Sequence, residues 1–163
     1  MGVYRGGSTR FLATALEELA PGRIHVCAVD TFSGHDPADL PDGREGAHTT
    51  AKFKQTSAAD VVEYLRDCPS VDVIQGRIQD VTRAVDEELH IIHADVDILL
   101  PTRFVLDLAV DRLAVGGVVV VDDYGFATCP GTKQAVGELL AEHGDAFAVV
   151  ALPTGQALLL RTR

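Results

Sequence analysis

Across 163 residues, 24 acidic side chains outnumber 14 basic ones, for a net charge of −10. That balance weighs against non-specific binding to nucleic acid or to an anionic membrane, both of which need clustered Lys and Arg, and favours a small-molecule partner. With 47% hydrophobic residues, the chain has the material for one core, and a single domain over 1–163 is expected. Cys27, Cys68 and Cys129 lie far apart with no CxxC pair and leave one unmatched in any disulfide scheme, so all three read as structural in a reducing cytosol. The opening MGVYRGGSTR lacks the apolar core of a signal peptide, and no stretch reaches membrane-spanning length, so a cytoplasmic location is expected.

Along the chain, a glycine run, GVYRGGST, leads into a helical pattern over 8–20. RIHVCAVD, 23–30, is short, rich in β-branched residues and reads as a strand ending on Asp30. The loop over 33–56, rich in Gly, Asp, Pro and His, is the longest irregular stretch, the kind that lies over a site. A helix over 57–68 precedes a strand over 71–76, and LHIIHADV, 89–96, reads as the next strand. In the helix over 101–114, Phe104, Val105, Leu108 and Ala109 share one face while Arg103, Asp107 and Asp111 take the other. GGVVVVDD, 116–123, a helix over 132–144 and FAVVAL, 147–152, continue the alternation. A PTG turn then leads straight to QALLLR, an antiparallel hairpin at the sheet edge. Several strands are apolar at consecutive positions, as expected when helices cover both faces. The fold expected is α/β: a Rossmann-like, doubly wound, mostly parallel sheet with an antiparallel C-terminal hairpin.

In open sheets of this kind ligands sit beyond the carboxyl ends of the strands, where the acids of this chain collect: Asp30, Asp95 with Asp97, and Asp122 with Asp123. One such Asp is most simply a helix cap or turn residue. Two pairs at strand ends are harder to explain so, because gathered carboxylates repel unless a cation or shared protons neutralise them. Oxygen ligands without a His or Cys cluster suit Mg²⁺; the six histidines show no ligand spacing. The glycine run does not have GxGxxG spacing, yet it would let backbone pass close to a ligand with a helix N-terminus behind it. Asp30, at the next strand tip, is placed to hold ribose hydroxyls.

GVYRGGST, VDTFSGH, HADVD, GGVVVVDDYGF and LPTGQALLL follow in order the pattern of the macrocin (TylF-type) O-methyltransferases, which this chain resembles over nearly its whole length. The resemblance implies a class I methyltransferase fold and an enzyme that methylates hydroxyls of sugars or other small secondary metabolites, using S-adenosylmethionine and Mg²⁺. It also implies that Gly2, Gly6, Ser8 and Asp30 line the cofactor site, that Asp95, Asp122 and Asp123 bind Mg²⁺, and that Asp95 is the general base. A homo-oligomer fits the same resemblance. Members of that family have a further strand and lid before the position of Gly2, so the chain reads as N-terminally truncated; Leu99 and Leu100 stand where relatives carry an aromatic and a polar residue.

Two other readings share parts of the pattern. Without the extra strand the domain is instead an inactive methyltransferase-like binding or oligomerisation module. The DxD with a later DD also resembles Mg²⁺-dependent aspartyl phosphatases, which need a catalytic lysine between the motifs, where Lys52, Lys54 and Lys133 do not fall.

Overall fold

The computed structural model describes residues 1–81 and 88–163. Its elements run α1 (Gly7–Leu19), β1 (Val26–Asp30), a 3₁₀ turn (Pro37–Asp39), β2 (Arg44–Glu45), β3 (His48–Thr49), α2 (Ala58–Tyr64) and β4 (Val71–Gln75). They continue α3 (Ile78–Val81), β5 (Leu89–Ala94), α4 (Leu99–Arg112), β6 (Leu113–Val121), α5 (Pro130–His143), β7 (Phe147–Ala151) and β8 (Ala157–Arg161). Strand–helix alternation and the closing hairpin are as the sequence implied. β6 begins earlier than GGVVVV suggested, directly at the end of α4, and α2 is shorter than its pattern, ending on Tyr64. Ser57 caps α2, its hydroxyl accepting from the Asp60 amide at 3.1 Å.

β1 pairs with β4 in parallel, and β5 pairs with β6 in parallel. β8 inserts antiparallel between β6 and β7, so β7 and not β8 forms the edge of that four-stranded sheet. The two sheets are stitched together by residues 1 and 2. The Met1 amine donates to the His93 carbonyl at 2.8 Å, the Asp95 amide donates to the Met1 carbonyl at 3.0 Å, and the Gly2 amide donates to the Val29 carbonyl at 3.0 Å. Spatially the order is β4, β1, residues 1–2, β5, β6, β8, β7. The tips of β1 and β5 are thereby placed on either side of the glycine run.

The main core lies between β5, β6 and β8 and the helices α4 and α5: Val105, Leu106, Val119, Val121, Val136, Leu139 and Leu159 are all fully buried. A smaller cluster of Val3, Ala28, Phe32, Val61 and Leu65 packs α2 and the glycine run against β1. α4 follows its sequence pattern: Val105, Leu108 and Ala109 face the core, while Arg103 bonds Asp107 at 2.9 Å and reaches Glu138 and Glu142 of α5. The helix is finished by Arg161 of β8, whose guanidinium donates to the carbonyls of Ala109, Val110 and Leu113 at 3.1, 2.8 and 2.7 Å. The Val110 carbonyl is one that the end of a helix leaves without an intrahelical partner, whereas the Ala109 carbonyl also accepts the Leu113 amide. Among the described residues, no helix is long and apolar enough to cross a membrane.

Replacing Arg161 with Met removes those charged donors while keeping much of the packing, and should cost about 2 kcal/mol of stability. Urea unfolding monitored by circular dichroism checks this: a lower midpoint at unchanged slope is expected, and an unchanged midpoint contradicts the role.

Candidate functional site

A cleft opens at the carboxyl ends of β1, β4 and β5. It is lined by Gly2 and Tyr4 of the glycine run, by Asp30, by His35 and Asp39 of the 33–56 loop, by Arg77, and by Asp95 and Asp97 beyond β5. Gly2 lies at φ 77°, and a Cβ there would sit 1.8 Å from the Asp95 carbonyl oxygen. Only glycine lets the backbone pass so close to the tip of β5. Gly6, also left-handed at φ 82°, caps α1 beneath Tyr64 and Val61 and lies behind the cleft instead of lining it. Ser8 is exposed on the first turn of α1, likewise outside the cleft.

Asp30 clamps this loop. Its Oδ2 accepts the amides of Val3 and Tyr4 at 2.7 and 2.8 Å, and its Oδ1 accepts the Phe32 amide at 2.7 Å. A carboxylate offers about four acceptor positions, so most of this one is committed to backbone; the Thr31 hydroxyl is 3.5 Å from Oδ1 but donates more closely to the Gly34 carbonyl at 2.7 Å, which leaves Oδ1 capacity for one further donor.

On the far side, four carboxylates crowd together. Asp95 sits at the end of β5, and burial, with Asp122 and Asp123 adding repulsion, pushes its pKa up to about 6. Asp97 is held well above the usual carboxylate range by burial, by the Asp95 charge, and by a hydrogen bond shared with Asp123. Both Asp97 and Asp123 adopt left-handed backbone, φ 64° and 57°, a strained conformation that recurs at functional sites. Among the described residues, no Lys or Arg forms an ion pair with any of the four.

The convergence is not the one that the family resemblance implied. Among the described residues, two triples bring potential ligand atoms within 4.8 Å of one another: His35, His48 and Asp97, and Asp97, Asp123 and Cys129. Asp95, Asp122 and Asp123, the set expected to hold Mg²⁺, is not one of them. The Asp122 Oδ1 accepts the Gln156 side-chain amide at 3.0 Å and the Asp123 amide at 3.0 Å, which ties this carboxylate to the β7–β8 turn. Asp97 was among the strand-tip acids expected at the cleft, whereas His35, His48 and Cys129 were not expected to take part. The histidines are 13 residues apart in an irregular loop, so no periodic pattern announced them.

Glu45 and Arg77 brace the surroundings of the cleft. Glu45 accepts the Leu99 amide at 2.9 and 3.0 Å, capping α4. Arg77 pairs with the buried Asp39 at 2.7 Å, pinning the 33–56 loop beside the cleft.

A parallel α/β sheet with an antiparallel terminal hairpin, a glycine run at the tip of its central region and an acid on the adjacent strand tip define the class I methyltransferase fold. The chain belongs to the family described as Methyltransferase domain, whose pattern matches residues 1–124. It is 26% identical over 172 residues to demethyldecarbamoylnovobiocin O-methyltransferase of Streptomyces niveus, covering 99% of this chain and 64% of that protein. The chain thus spans less than two thirds of that relative's length. The O-methyltransferase NovP superposes with a TM-score of 0.83 at 24% identity, over 100% of this chain and 70% of that one. CalS11, a calicheamicin methyltransferase, superposes with a TM-score of 0.76 at 19% identity, over 98% of this chain and 69% of that one.

The raised pKa values make stability pH-dependent. A carboxyl whose folded pKa exceeds its unfolded value binds more protons folded than unfolded between the two, so stability falls as pH rises across that interval. For Asp95 the interval runs from its ordinary value of 3.8 to about 6. With metal removed by chelator, unfolding free energy should fall from pH 4 to pH 6, and Asp95→Asn should flatten that fall. An unchanged pH profile in the variant contradicts the crowding.

Proposed function

We propose that this chain acts as an S-adenosylmethionine-dependent O-methyltransferase of the macrocin (TylF-type) kind, methylating a hydroxyl of a sugar or another small secondary metabolite. The observation that carries this reading is the convergence of the Gly2 backbone, Asp30 and Asp95 on one cleft at the strand tips. The similarity to demethyldecarbamoylnovobiocin O-methyltransferase and to a calicheamicin methyltransferase supports the acceptor class.

The cofactor, when bound, supplies an electrophilic methyl group on a sulfonium cation. The residues fit such a ligand. Asp30 retains an acceptor position for a ribose hydroxyl, Gly2 gives backbone access without a Cβ, and the strand-tip carboxylates favour a positive charge. Gly6 and Ser8 act one step back, shaping the turn into α1.

Methyl transfer is an in-line displacement, so holding the acceptor oxygen at near-attack distance is a large part of the catalysis. Asp95 is the base. With a pKa near 6 it is ionised at neutral pH, yet a stronger proton acceptor than an exposed aspartate. The oxygen donors of Asp95, Asp122 and Asp123 suit Mg²⁺ by chemistry, and such an ion, when bound, would lower the pKa of the acceptor hydroxyl. Their spacing in this structure is wider than one compact triple, so the proton transfer is assigned to Asp95 alone.

Calorimetry with S-adenosylhomocysteine, with and without Mg²⁺, tests the reading together with methyl transfer to a panel of sugar and phenolic acceptors. Asp95→Asn should keep S-adenosylhomocysteine binding while transfer falls by about 10²- to 10⁴-fold. Absence of binding to the parent protein contradicts a cofactor site. Binding without turnover of any acceptor favours the inactive module, and hydrolysis of phosphate esters favours the phosphatase.

A further inference from the structure

The 33–56 loop brings two imidazoles against the second aspartate of HADVD. His35 Nε2 and His48 Nδ1 stand 3.0 Å apart, and an Asp97 carboxylate oxygen completes a triple whose atoms all lie within 4.8 Å. His48, on β3, is 5% exposed. Its ring stacks on Phe53 at 5.9 Å between centroids and 24° between planes, and His35 stands edge-on to both rings. Beyond His48, its Nε2 is 3.3 Å from the buried Cys129 thiol.

We propose that His35, His48 and Asp97 form a binding site for a borderline divalent ion of the Zn²⁺ class, separate from the Asp95, Asp122 and Asp123 carboxylates. Two imidazoles and one carboxylate are the donors such ions select, whereas Mg²⁺ prefers oxygen alone. Three protein ligands with the remaining position open match zinc sites that bind a water or a substrate atom.

One assignment of the ring protons presents both facing nitrogens. A proton on His48 Nε2, directed at the Cys129 sulfur, leaves the Nδ1 lone pair toward His35 and Asp97, and a partner on the remote nitrogen is how metal-binding histidines are usually oriented. Without an ion, His35 Nε2–H donates to that lone pair. With one, the His35 proton resides on Nδ1 and both lone pairs point at the metal, with no net proton released by the rings. Two nitrogens on a tetrahedral zinc at about 2.0–2.1 Å stand about 3.3 Å apart, so the rings need only separate by a few tenths of an ångström from their present 3.0 Å.

The surrounding charges also favour a cation. Asp95, Asp122 and Asp123 act on Asp97, while Lys52 is the cation acting on the imidazoles. His35 and Asp97 both line the cleft, which makes the open coordination position reachable by a ligand there. The site rests on its own donor set and does not require the methyl-transfer reading.

Chelator-stripped full chain titrated with Zn²⁺ by calorimetry, and with Co²⁺ by visible absorption, tests this proposal. One Zn²⁺ per chain is expected, with a four-coordinate nitrogen–oxygen Co²⁺ spectrum lacking thiolate charge transfer, and with no displacement by millimolar Mg²⁺. Binding should be lost in His35→Gln and Asp97→Asn, and should weaken about 10- to 100-fold in Cys129→Ala, where the orienting partner is gone. His35 is only half-buried, so its variant is the one expected to fold, as far-ultraviolet circular dichroism will show. No Zn²⁺ binding to the parent, binding that survives His35→Gln and Asp97→Asn, or displacement by Mg²⁺ overturns the proposal. Because the readout is metal binding, its failure leaves the S-adenosylhomocysteine experiment untouched, and the reverse holds as well.

Discussion

Repulsion among carboxylates gathered at the strand tips is the constraint on which the rest of this structure turns. Asp95, Asp97, Asp122 and Asp123 are brought together by β5 and β6 running in parallel with Ala94 opposite Val121, so the residues that follow each strand emerge side by side. They are half-buried, which limits their contact with water, and no described lysine or arginine pairs with them. The protein meets this through the hydrogen bond between Asp97 and Asp123, which with burial holds Asp97 above the usual carboxylate range, and through burial and neighbouring charge that push Asp95 up to about 6. A cation arriving in the cleft relieves the same strain. A sulfonium and a divalent metal are both of that sign, so the arrangement predisposes the site to both.

The glycine run and the acids depend on each other. Gly2 donates to β1 while the Met1 carbonyl accepts from Asp95 beyond β5, and Asp30 then collects the next two amides. A side chain at position 2 would collide with the Asp95 carbonyl, so the backbone that approaches a ligand also fixes where Asp95 begins. Positioning of Asp95, the proposed base, and positioning of the glycine run are one structural decision. Arg77 and Asp39 hold the 33–56 loop over this junction, which places His35 in the cleft wall.

Much of the fold was legible in the sequence because its strands are runs of Val and Ile bounded by Asp, Gly or Pro, and its helices keep one apolar face. β6 overran its predicted start because Leu113 and Ala114 carry no turn signal after α4, while Gly116 and Gly117 looked like a boundary. Gly2, Asp30 and Asp95 were expected at the strand tips, where such sheets bind ligands, and all three line the cleft. Gly6 and Ser8 were placed at the ligand by motif, whereas the structure sets them behind and outside the cleft. The histidine pair was illegible, since its proximity to Asp97 is made by an irregular loop folding back and not by any spacing along the chain. Asp97 was noticed and then set aside in favour of Asp122, whose Oδ1 is bonded instead to Gln156, a contact across 34 residues that no local pattern encodes.

Carbon-13 NMR of the aspartate carboxyl groups, followed through pH in metal-free protein, tests the crowding of charge most directly. The account predicts one carboxyl titrating near pH 6, lost in Asp95→Asn, and a second, that of Asp97, titrating well above the ordinary carboxylate range. Every aspartate titrating at its ordinary value near 4 would contradict it.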